Sequence, residues 1–240
     1  MEIRVEAGSR VYPVSITMRT PGHDFELAAG FLWSEGVIRS RKAIERISYC
    51  TSGQQPQHYN IVTVHLRANV PFDPLRLSRY VYMSSSCGIC GKASLEQVRA
   101  VNPPPLNGKP QLPDGYFMKL PEAMRRHQAT FARTGGLHAA ALFDAAGNLV
   151  ALCEDVGRHN ALDKLVGTLL LSDRLPAHDA VVLVSGRASF ELVQKALLAG
   201  IPILAALSAP SSLAIDLARE FGMTLVGFLR DGGYNIYVGE

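Results

Sequence analysis

Residues 181–212 read VVLVSGRASFELVQKALLAGIPILAALSAPSS, and this stretch decides the fold. It opens with an apolar strand over 181–184, continues as a helix over 188–198 and returns to an apolar strand over 203–207. Strands that lack polar alternation are typically buried on both faces, and strands that alternate with helices favour an α/β architecture. The stretch therefore predicts a largely parallel sheet that helices cover on both faces.

The same pattern extends in both directions from this stretch. The turn residues Ala146-Gly147-Asn148 predict a hairpin over 137–153, and a helix over 160–171 follows. A closing hairpin is expected over 224–238. Pro121 is predicted to begin the helix that precedes the first hairpin, because proline is well tolerated in the first helical turn.

The first part of the chain has a different order, which is strand, strand, helix, strand and strand. The helix is expected to begin near Pro21 and to end at Gly36, since apolar residues between them recur at helical spacing. This order predicts a small α+β, roll-like N-terminal domain over 1–84, followed by an α/β domain over 85–240. Residues 102–115 hold five prolines and two glycines and are predicted to form a linker.

Composition restricts the classes of function. The chain has 240 residues, of which 48% are hydrophobic and 19% charged, and its net charge is +3. So small a charge argues against a protein whose whole surface binds nucleic acid. No apolar run reaches membrane-spanning length, and no signal peptide is visible. The four cysteines do not suggest a disulfide scaffold, so we expect a cytoplasmic protein that does not bind membranes.

The motif Cys87-Gly-Ile-Cys90 has the most informative spacing in the sequence. A structural zinc site would need a second pair of ligands, whereas Cys50 and Cys153 are isolated. Disulfide exchange is a second interpretation, and a carrier thiol that accepts sulfane sulfur is the third. Sulfur transfer requires a thiolate, and Lys92 is the nearest residue in sequence that could lower the pKa of the thiol. Cys87 and Cys90 are therefore the candidate catalytic residues.

The stretch Thr134–Ala140 matches the place where zinc deaminases carry His-x-Glu. Here residue 140 is alanine, and no Pro-Cys-x-x-Cys motif follows. The general acid/base carboxylate and two metal ligands are missing, so we expect no metal at His138. A hydrogen-bonded histidine at a strand start and a ligand-site histidine remain as alternatives.

Residues 154–164 place acidic, basic, imidazole and amide groups between a strand and a helix. A solvated turn is one interpretation. The density of polar groups around Gly157 favours a binding or dimer-contact site, with Asp155, His159 and Lys164 as secondary candidates.

Polar residues follow two neighbouring apolar strands at the point where each strand ends. Ser185, Arg187 and Ser189 follow the first strand, and the serines within 208–212 follow the second. In α/β sheets, ligands bind beyond the C-terminal ends of strands, and helix N-termini attract anions. A guanidinium group suits phosphate, so the sequence predicts a site for a phosphate-bearing ligand here.

Together these motifs resemble those of the formate dehydrogenase accessory sulfurtransferase family, FdhD. The match is specific because the shared stretches span nearly the whole chain in family order. They are Thr20–Asp24, Phe31–Gly36, Ser86–Lys92, Thr134–Ala140, Glu154–Lys164, Ser185–Glu191, Gly200–Pro202, Ser208–Leu213 and Val226–Arg230.

The resemblance implies a cytidine-deaminase-like, three-layer C-terminal domain without zinc, in a homodimer. It implies a sulfurtransferase that a cysteine desulfurase loads with a persulfide on Cys87. The sulfur is then expected to pass to the molybdenum bis(molybdopterin guanine dinucleotide) cofactor, which is a bound substrate destined for formate dehydrogenase. Gly233 stands where relatives commonly carry a basic residue. The family's cofactor contact falls on Phe228, Leu229, Arg230, Asp231, Gly232 and Gly233.

Two other functions are compatible with the residues. A non-catalytic molybdenum-cofactor chaperone would use the cysteine pair as a redox or dimer staple. A nucleotide-modifying enzyme of the deaminase type is disfavoured by the alanine at position 140.

Overall fold

A computed structural model describes residues 1–51, 58–73, 95–96, 98–99, 101–106, 108–230 and 232–239. Cys87, Cys90, Lys92 and Asp231 lie outside the described residues.

The N-terminal part forms a four-stranded sheet with one helix against it. Its strands are β1 (Glu2–Ala7), β2 (Arg10–Ile16), β3 (Ile44–Tyr49) and β4 (Ile61–Leu66), and its helix is α1 (Asp24–Ser34). The strand order is β2-β1-β4-β3, and only the central β1–β4 pair is parallel. Ala28 and Leu32 of α1 pack on Ile3, Val5 and Val64 of the sheet, as the helical spacing of apolar residues predicts. Gly36 has a φ of 69° and follows the end of α1.

The C-terminal part is a six-stranded sheet with the order β10-β9-β8-β7-β5-β6. Its strands are β5 (His138–Asp144), β6 (Leu149–Asp155), β7 (Ala180–Val184), β8 (Ile203–Ala206), β9 (Thr224–Arg230) and β10 (Gly233–Val238). Its helices are α2 (Tyr116–His127), α3 (Ala129–Thr134), α4 (Arg158–Leu171), α5 (Phe190–Leu198) and α6 (Ser212–Glu220).

Helices cover both faces of this sheet, so the prediction of an α/β architecture is confirmed. Val182 and Val184 of β7 point into a core that helices α4, α5 and α6 complete. Val181 and Leu183 of the same strand point to the opposite core, which α2 closes with Phe117. Alternate residues of one strand thus serve two cores, and this explains why the strand has no polar position.

The prediction of a largely parallel sheet was wrong. Only the β7–β8 and β8–β9 pairs are parallel, while β5–β6, β5–β7 and β9–β10 are antiparallel. Strand β5 is buried along nearly its whole length, because the sheet is covered on both faces. Burial on both faces produces the same apolar run whichever way a strand points, so the sequence does not reveal the direction.

The prediction that Pro121 begins a helix was also wrong. Helix α2 starts at Tyr116, and Pro121 lies inside it. Tyr116, Phe117 and Leu120 are buried against the sheet, and their packing outweighs the hydrogen bond that proline cannot donate.

Helices α1 and α4 join the two sheets through a close contact between glycines. A Cβ atom on Gly30 would lie 1.8 Å from the carbonyl oxygen of Asp163, and a Cβ on Gly167 would lie 1.8 Å from that of Glu26. Only glycine allows the two backbones to come this close. The indole nitrogen of Trp33 also donates to Leu198 O at 3.0 Å, which ties α1 to the end of α5.

A buried ion pair lies beside this contact. The ammonium of Lys195 on α5 is 2.8 Å from Asp163 Oδ1 on α4, and Ser34 Oγ of α1 donates to the same oxygen at 2.8 Å. Although burial opposes it, the carboxylate of Asp163 raises the pKa of Lys195, so the lysine is charged at neutral pH. One carboxylate therefore joins three helices.

Among the described residues, no helix has both the length and the apolar character needed to cross a membrane.

Candidate functional site

The C-terminal ends of β7, β8 and β9 and the N-terminal end of β5 meet at one edge of the six-stranded sheet, which we call the rim. Strand β5 reaches the rim with its first residue because it runs antiparallel to β7. The amide of Ser185 donates to Ala139 O at 3.0 Å. Further along, the amide of Phe228 donates to Ser208 O at 3.2 Å. The rim thus brings together the residues that follow β7 and β8 and the end of β9.

His138 and Ser185 form the first polar contact of the rim. Ser185 Oγ accepts from the amide of Ala139 at 2.9 Å and lies 3.4 Å from His138 Nδ1. Burial, and then the charge of Arg158, lowers the pKa of His138. His138 is therefore a neutral, hydrogen-bonded histidine at a strand start, and it also borders the candidate site.

His159 and Ser189 form a second contact of the same kind. His159 Nε2 is 3.2 Å from Ser189 Oγ and 3.8 Å from Glu191 Oε2. Burial lowers the pKa of His159 to about 4, and the positive charges of Arg158 and Lys195 add to the effect. The rim therefore carries two imidazoles that stay neutral at physiological pH.

The N terminus of α5 differs from the anion site that the sequence predicts. Ser189 is the N-cap residue, and its side chain makes no capping hydrogen bond. Although partial burial opposes it, hydrogen bonds from Ser189 and from the residue's own amide lower the pKa of Glu191. A charged carboxylate thus lies at the positive end of the helix dipole, where it competes with an incoming phosphate.

Positive charge at the rim comes from arginine side chains. Arg187 is exposed, and no hydrogen bond or ion pair links it to the described part of the chain. Arg230 is exposed as well, and its Cζ lies 5.4 Å from the centroid of the Phe228 ring. Arg158 Nε is buried and has no hydrogen-bond partner among the described residues. Sequence reasoning did not single out Arg158, although it lies inside the polar stretch 154–164.

The predicted cofactor-contact residues differ in how far a ligand could reach their side chains. Phe228 has a φ of 53°, which is rare for a bulky residue and marks local strain at the end of β9. The side chain of Leu229 is 1% exposed and belongs to the core beneath α2, so only its backbone can meet a ligand. Gly232 and Gly233 lie at the β9–β10 turn.

The secondary candidates Asp155 and Lys164 lie beneath the rim. Their side chains are almost completely buried and 2.7 Å apart. Asp155 Oδ2 accepts from the amide of Thr20 at 3.0 Å, and Lys164 donates to Thr20 O at 2.8 Å. This pair therefore fixes the segment before α1 against the sheet. In the described residues, no group of three His, Cys, Asp or Glu side chains could hold a metal ion.

The whole chain is similar to several known proteins. The solved structure of a formate dehydrogenase accessory protein from Desulfotalea psychrophila is similar to this chain, with a TM-score of 0.74 and 27% identity, over 99% of this chain and 86% of that one. Sulfur carrier protein FdhD from Streptomyces avermitilis is 54% identical, over 95% of this chain and 82% of the relative.

Two further comparisons extend the match. Sulfur carrier protein FdhD from Mycolicibacterium paratuberculosis is 50% identical, over 99% of this chain and 87% of the relative. The FdhD/NarQ family model matches residues 2–240. The chain therefore belongs to the FdhD/NarQ family.

Proposed function

We propose that this protein is a cytoplasmic sulfur carrier that serves formate dehydrogenase. A cysteine desulfurase would place a persulfide on Cys87, and the protein would pass that sulfur to molybdenum bis(molybdopterin guanine dinucleotide) bound at the rim. The observation that carries the proposal is the relationship to proteins named sulfur carrier protein FdhD, at 54% identity over 95% of the chain. A homodimer and a cytidine-deaminase-like C-terminal domain over 85–240 are parts of the same proposal.

The chemistry of the cysteine pair supports sulfur transfer in a reducing compartment. A thiolate accepts sulfane sulfur to form a persulfide, and attack by a second thiol releases the terminal sulfur as sulfide while the two cysteines form a disulfide. The two thiols supply the two electrons that this release requires. A cellular thiol reductant then restores the pair, and the cytoplasm provides such reductants. Cys90 is the proposed second thiol.

The donors at the rim suit the phosphates of a dinucleotide substrate. Arg187 and Arg230 are exposed cations, and Arg158 holds a buried donor that has no partner in the described residues. Guanidinium groups bind phosphate with paired hydrogen bonds. Because Glu191 already lies at the α5 N terminus, we assign the phosphates to the arginines rather than to the helix dipole.

Loading of sulfur on Cys87 is the test of the carrier function. After incubation with a cysteine desulfurase and cysteine, wild-type protein is expected to gain the mass of one sulfur atom, and Cys87→Ala is expected to lose this gain. Intact-mass spectrometry measures both. Cys50→Ser is the matched control and should load normally. A wild-type protein that gains no sulfur would exclude the proposal. Formate dehydrogenase activity that survives Cys87→Ala in cells would favour a non-catalytic chaperone instead.

Binding of a guanine nucleotide at the rim is a separate prediction. The double substitution Arg187→Ser with Arg230→Ser should weaken binding of GDP by roughly tenfold or more, because charge-assisted hydrogen bonds to phosphate are lost. Calorimetric titration at two salt concentrations measures the change, and the salt dependence should weaken with it. Arg126→Ser on the exposed surface of α2 is the control and should bind normally. Equal affinity in the double variant would show that the phosphates lie elsewhere.

A further inference from the structure

The four-stranded sheet of the N-terminal part has a polar face on the side opposite helix α1. Val5 points into the core beneath α1, so its neighbours Arg4 and Glu6 point to the opposite face. A cavity of about 420 Å³ lies there, which is within the range of small-molecule sites. Its lining includes Arg4, Glu6, Val11, Ser48, Thr63 and His65. The proposed function uses none of these six residues.

The strand register places these side chains in two adjacent rows across the sheet. In the first row, Glu6 of β1 is opposite His65 of β4. In the second row, Thr63 of β4 is opposite Arg4 of β1 on one side and Ser48 of β3 on the other. Residues that are opposite one another on neighbouring strands share a face of the sheet. Three different strands therefore bring a carboxylate, an imidazole and a hydroxyl to one cavity.

Ser48 and His65 form a close contact in this cavity. Ser48 Oγ lies 2.9 Å from His65 Nε2, and His65 Nδ1 lies 3.1 Å from Glu6 Oε1. A carboxylate beside Nδ1 favours the tautomer that carries its proton there, which leaves the lone pair of Nε2 to accept from the serine hydroxyl. The side chain of His65 is 8% exposed, whereas Ser48 is only half-buried. The imidazole is thus held in place while the hydroxyl remains accessible.

The contact between His65 and Glu6 is short, but it is not aligned as a hydrogen bond. His65 Nδ1 is buried and has no hydrogen-bond partner among the described residues. A purely structural network would satisfy such an atom, because an unsatisfied buried polar group is costly. Catalytic hydrogen bonds, in contrast, are often poorly aligned until a substrate binds. The side chain of Glu6 is 36% exposed, so its carboxylate has room to turn onto Nδ1.

Arg4 brings a positive charge to the row that contains Ser48. Its Nε and Nη2 donate to the two carboxylate oxygens of Glu2 at 2.8 and 2.9 Å. This paired contact fixes the plane of the guanidinium group and leaves Nη1 outside the contact. Two strand spacings, about 10 Å, separate the backbones of Arg4 and Ser48, and the long arginine side chain can cover most of that distance. A guanidinium N–H can stabilise the negative oxygen that develops during acyl transfer.

We propose that Ser48, His65 and Glu6 act as nucleophile, base and orienting carboxylate in the hydrolysis of small carboxylic esters. Ser48 Oγ bonds to the carbonyl carbon while its proton passes to His65 Nε2, and Arg4 stabilises the oxyanion. The proton then passes to the departing alcohol as the ester C–O bond breaks. Water cleaves the acyl-serine by the same route, so one ester and one water give one carboxylic acid and one alcohol.

The surroundings of the three residues restrict the substrate. A single cation stabilises the oxyanion, so the site favours esters with good leaving groups over amides. Val11 is opposite Glu6 on the neighbouring strand and is 49% exposed, which provides apolar surface for a short acyl or alcohol group. The substrate class is therefore a small ester with an apolar substituent.

Covalent labelling of Ser48 is the direct test of the nucleophile. A fluorophosphonate reacts with activated serines, and peptide mass spectrometry of the full-length protein is expected to find the label on Ser48. The protein should also hydrolyse 4-nitrophenyl acetate after N-ethylmaleimide has blocked its cysteines. Ser48→Ala should lose the label and nearly all of the hydrolysis. Ser9→Ala, in the exposed turn between β1 and β2, is the matched control and should keep both.

Variants of the other two residues test the base and the orienting carboxylate. His65→Gln should lower kcat for the ester roughly 100-fold or more, because the general base is lost. Glu6→Gln should lower kcat roughly tenfold or more with little change in KM, since it removes the charge that orients the imidazole. Glu6→Asp keeps the charge and should recover part of the rate. Circular dichroism verifies that each variant folds.

Three results would overturn the proposal. They are a fluorophosphonate that does not label Ser48, a rate of ester hydrolysis that Ser48→Ala or His65→Gln leaves intact, and a Glu6→Gln variant with the kcat of the wild type. The assay contains no desulfurase and proceeds with blocked cysteines, so its failure is independent of the sulfur loading of Cys87, which is measured separately.

Discussion

Replacement of Gly167 by alanine is expected to lower the free energy of unfolding by about 3 kcal/mol, the upper end of the usual cost of overpacking. In an isolated helix, the same change would stabilise the chain by about 1 kcal/mol, because glycine is the poorer helix former. Here the close contact between α1 and α4 makes the same change destabilising. A Cβ atom at this position would lie 1.8 Å from the carbonyl oxygen of Glu26, which is backbone and cannot rotate away. The two helices would have to separate.

Urea denaturation measures this loss, and another glycine provides the control. A Cβ atom on Gly136 would have its nearest neighbour, Thr134 O, at 3.9 Å. Gly136→Ala should therefore change the free energy of unfolding by no more than about 0.5 kcal/mol. A Gly167→Ala variant that unfolds at the same urea concentration as the wild type would contradict the close helix contact.

Replacement of Lys195 by methionine is expected to lower the free energy of unfolding by about 3–5 kcal/mol. The change keeps the volume of the side chain and removes its charge, so Asp163 remains buried without a cation. The hydrogen bond from Ser34 at 2.8 Å does not replace the lost charge. Thermal and urea unfolding at neutral pH measure the effect.

A double substitution shows whether the loss of stability comes from the unpaired buried charge of Asp163 or from lost packing of the lysine side chain. Lys195→Met with Asp163→Asn removes both charges and keeps an oxygen for Ser34, so it should recover most of the stability that the single change loses. A double variant that is as unstable as Lys195→Met alone would show that the lysine stem, rather than the ion pair, stabilises the helices.

The sequence predicts the positions of most elements because their apolar runs have clear ends. The strands at 181–184 and 203–207 and the hairpin around Gly147 are found at the predicted positions, within one or two residues. The direction of β5 was not predictable, since a strand buried on both faces has no polar side to orient it. The start of α2 was predicted wrongly. Pro121 favours a helix that begins at that residue, but the packing of Tyr116 and Phe117 against the sheet extends the helix to Tyr116.

Only part of the candidate site could be predicted from the sequence, because the sequence does not show which distant residues the fold brings to the rim. Residues that follow a strand directly, such as Ser185 and Arg187, can be assigned to a sheet edge from the sequence. Arg158 cannot, because nothing in its spacing shows that the fold would bury its Nε atom without a hydrogen-bond partner in the described residues. The stretch from Thr20 to Asp24 was recognised as a family motif, and only the structure shows what surrounds it.

Because β5 runs antiparallel to β7, its first residue lies at the rim and its last residue lies at the opposite end of the sheet. The two ends of the sheet differ in how well they tolerate added residues. The loops at 145–148, 172–179, 199–202 and 221–223 all lie at the end of the sheet opposite the rim. Residues 199–202 are buried in the core, whereas the loops at 145–148 and 172–179 are largely at the surface. Additional residues in these two surface loops would lengthen the molecule without altering the spacing of His138, Ser185 and Phe228. Affinity tags, fluorophores or natural insertions are therefore best accommodated there.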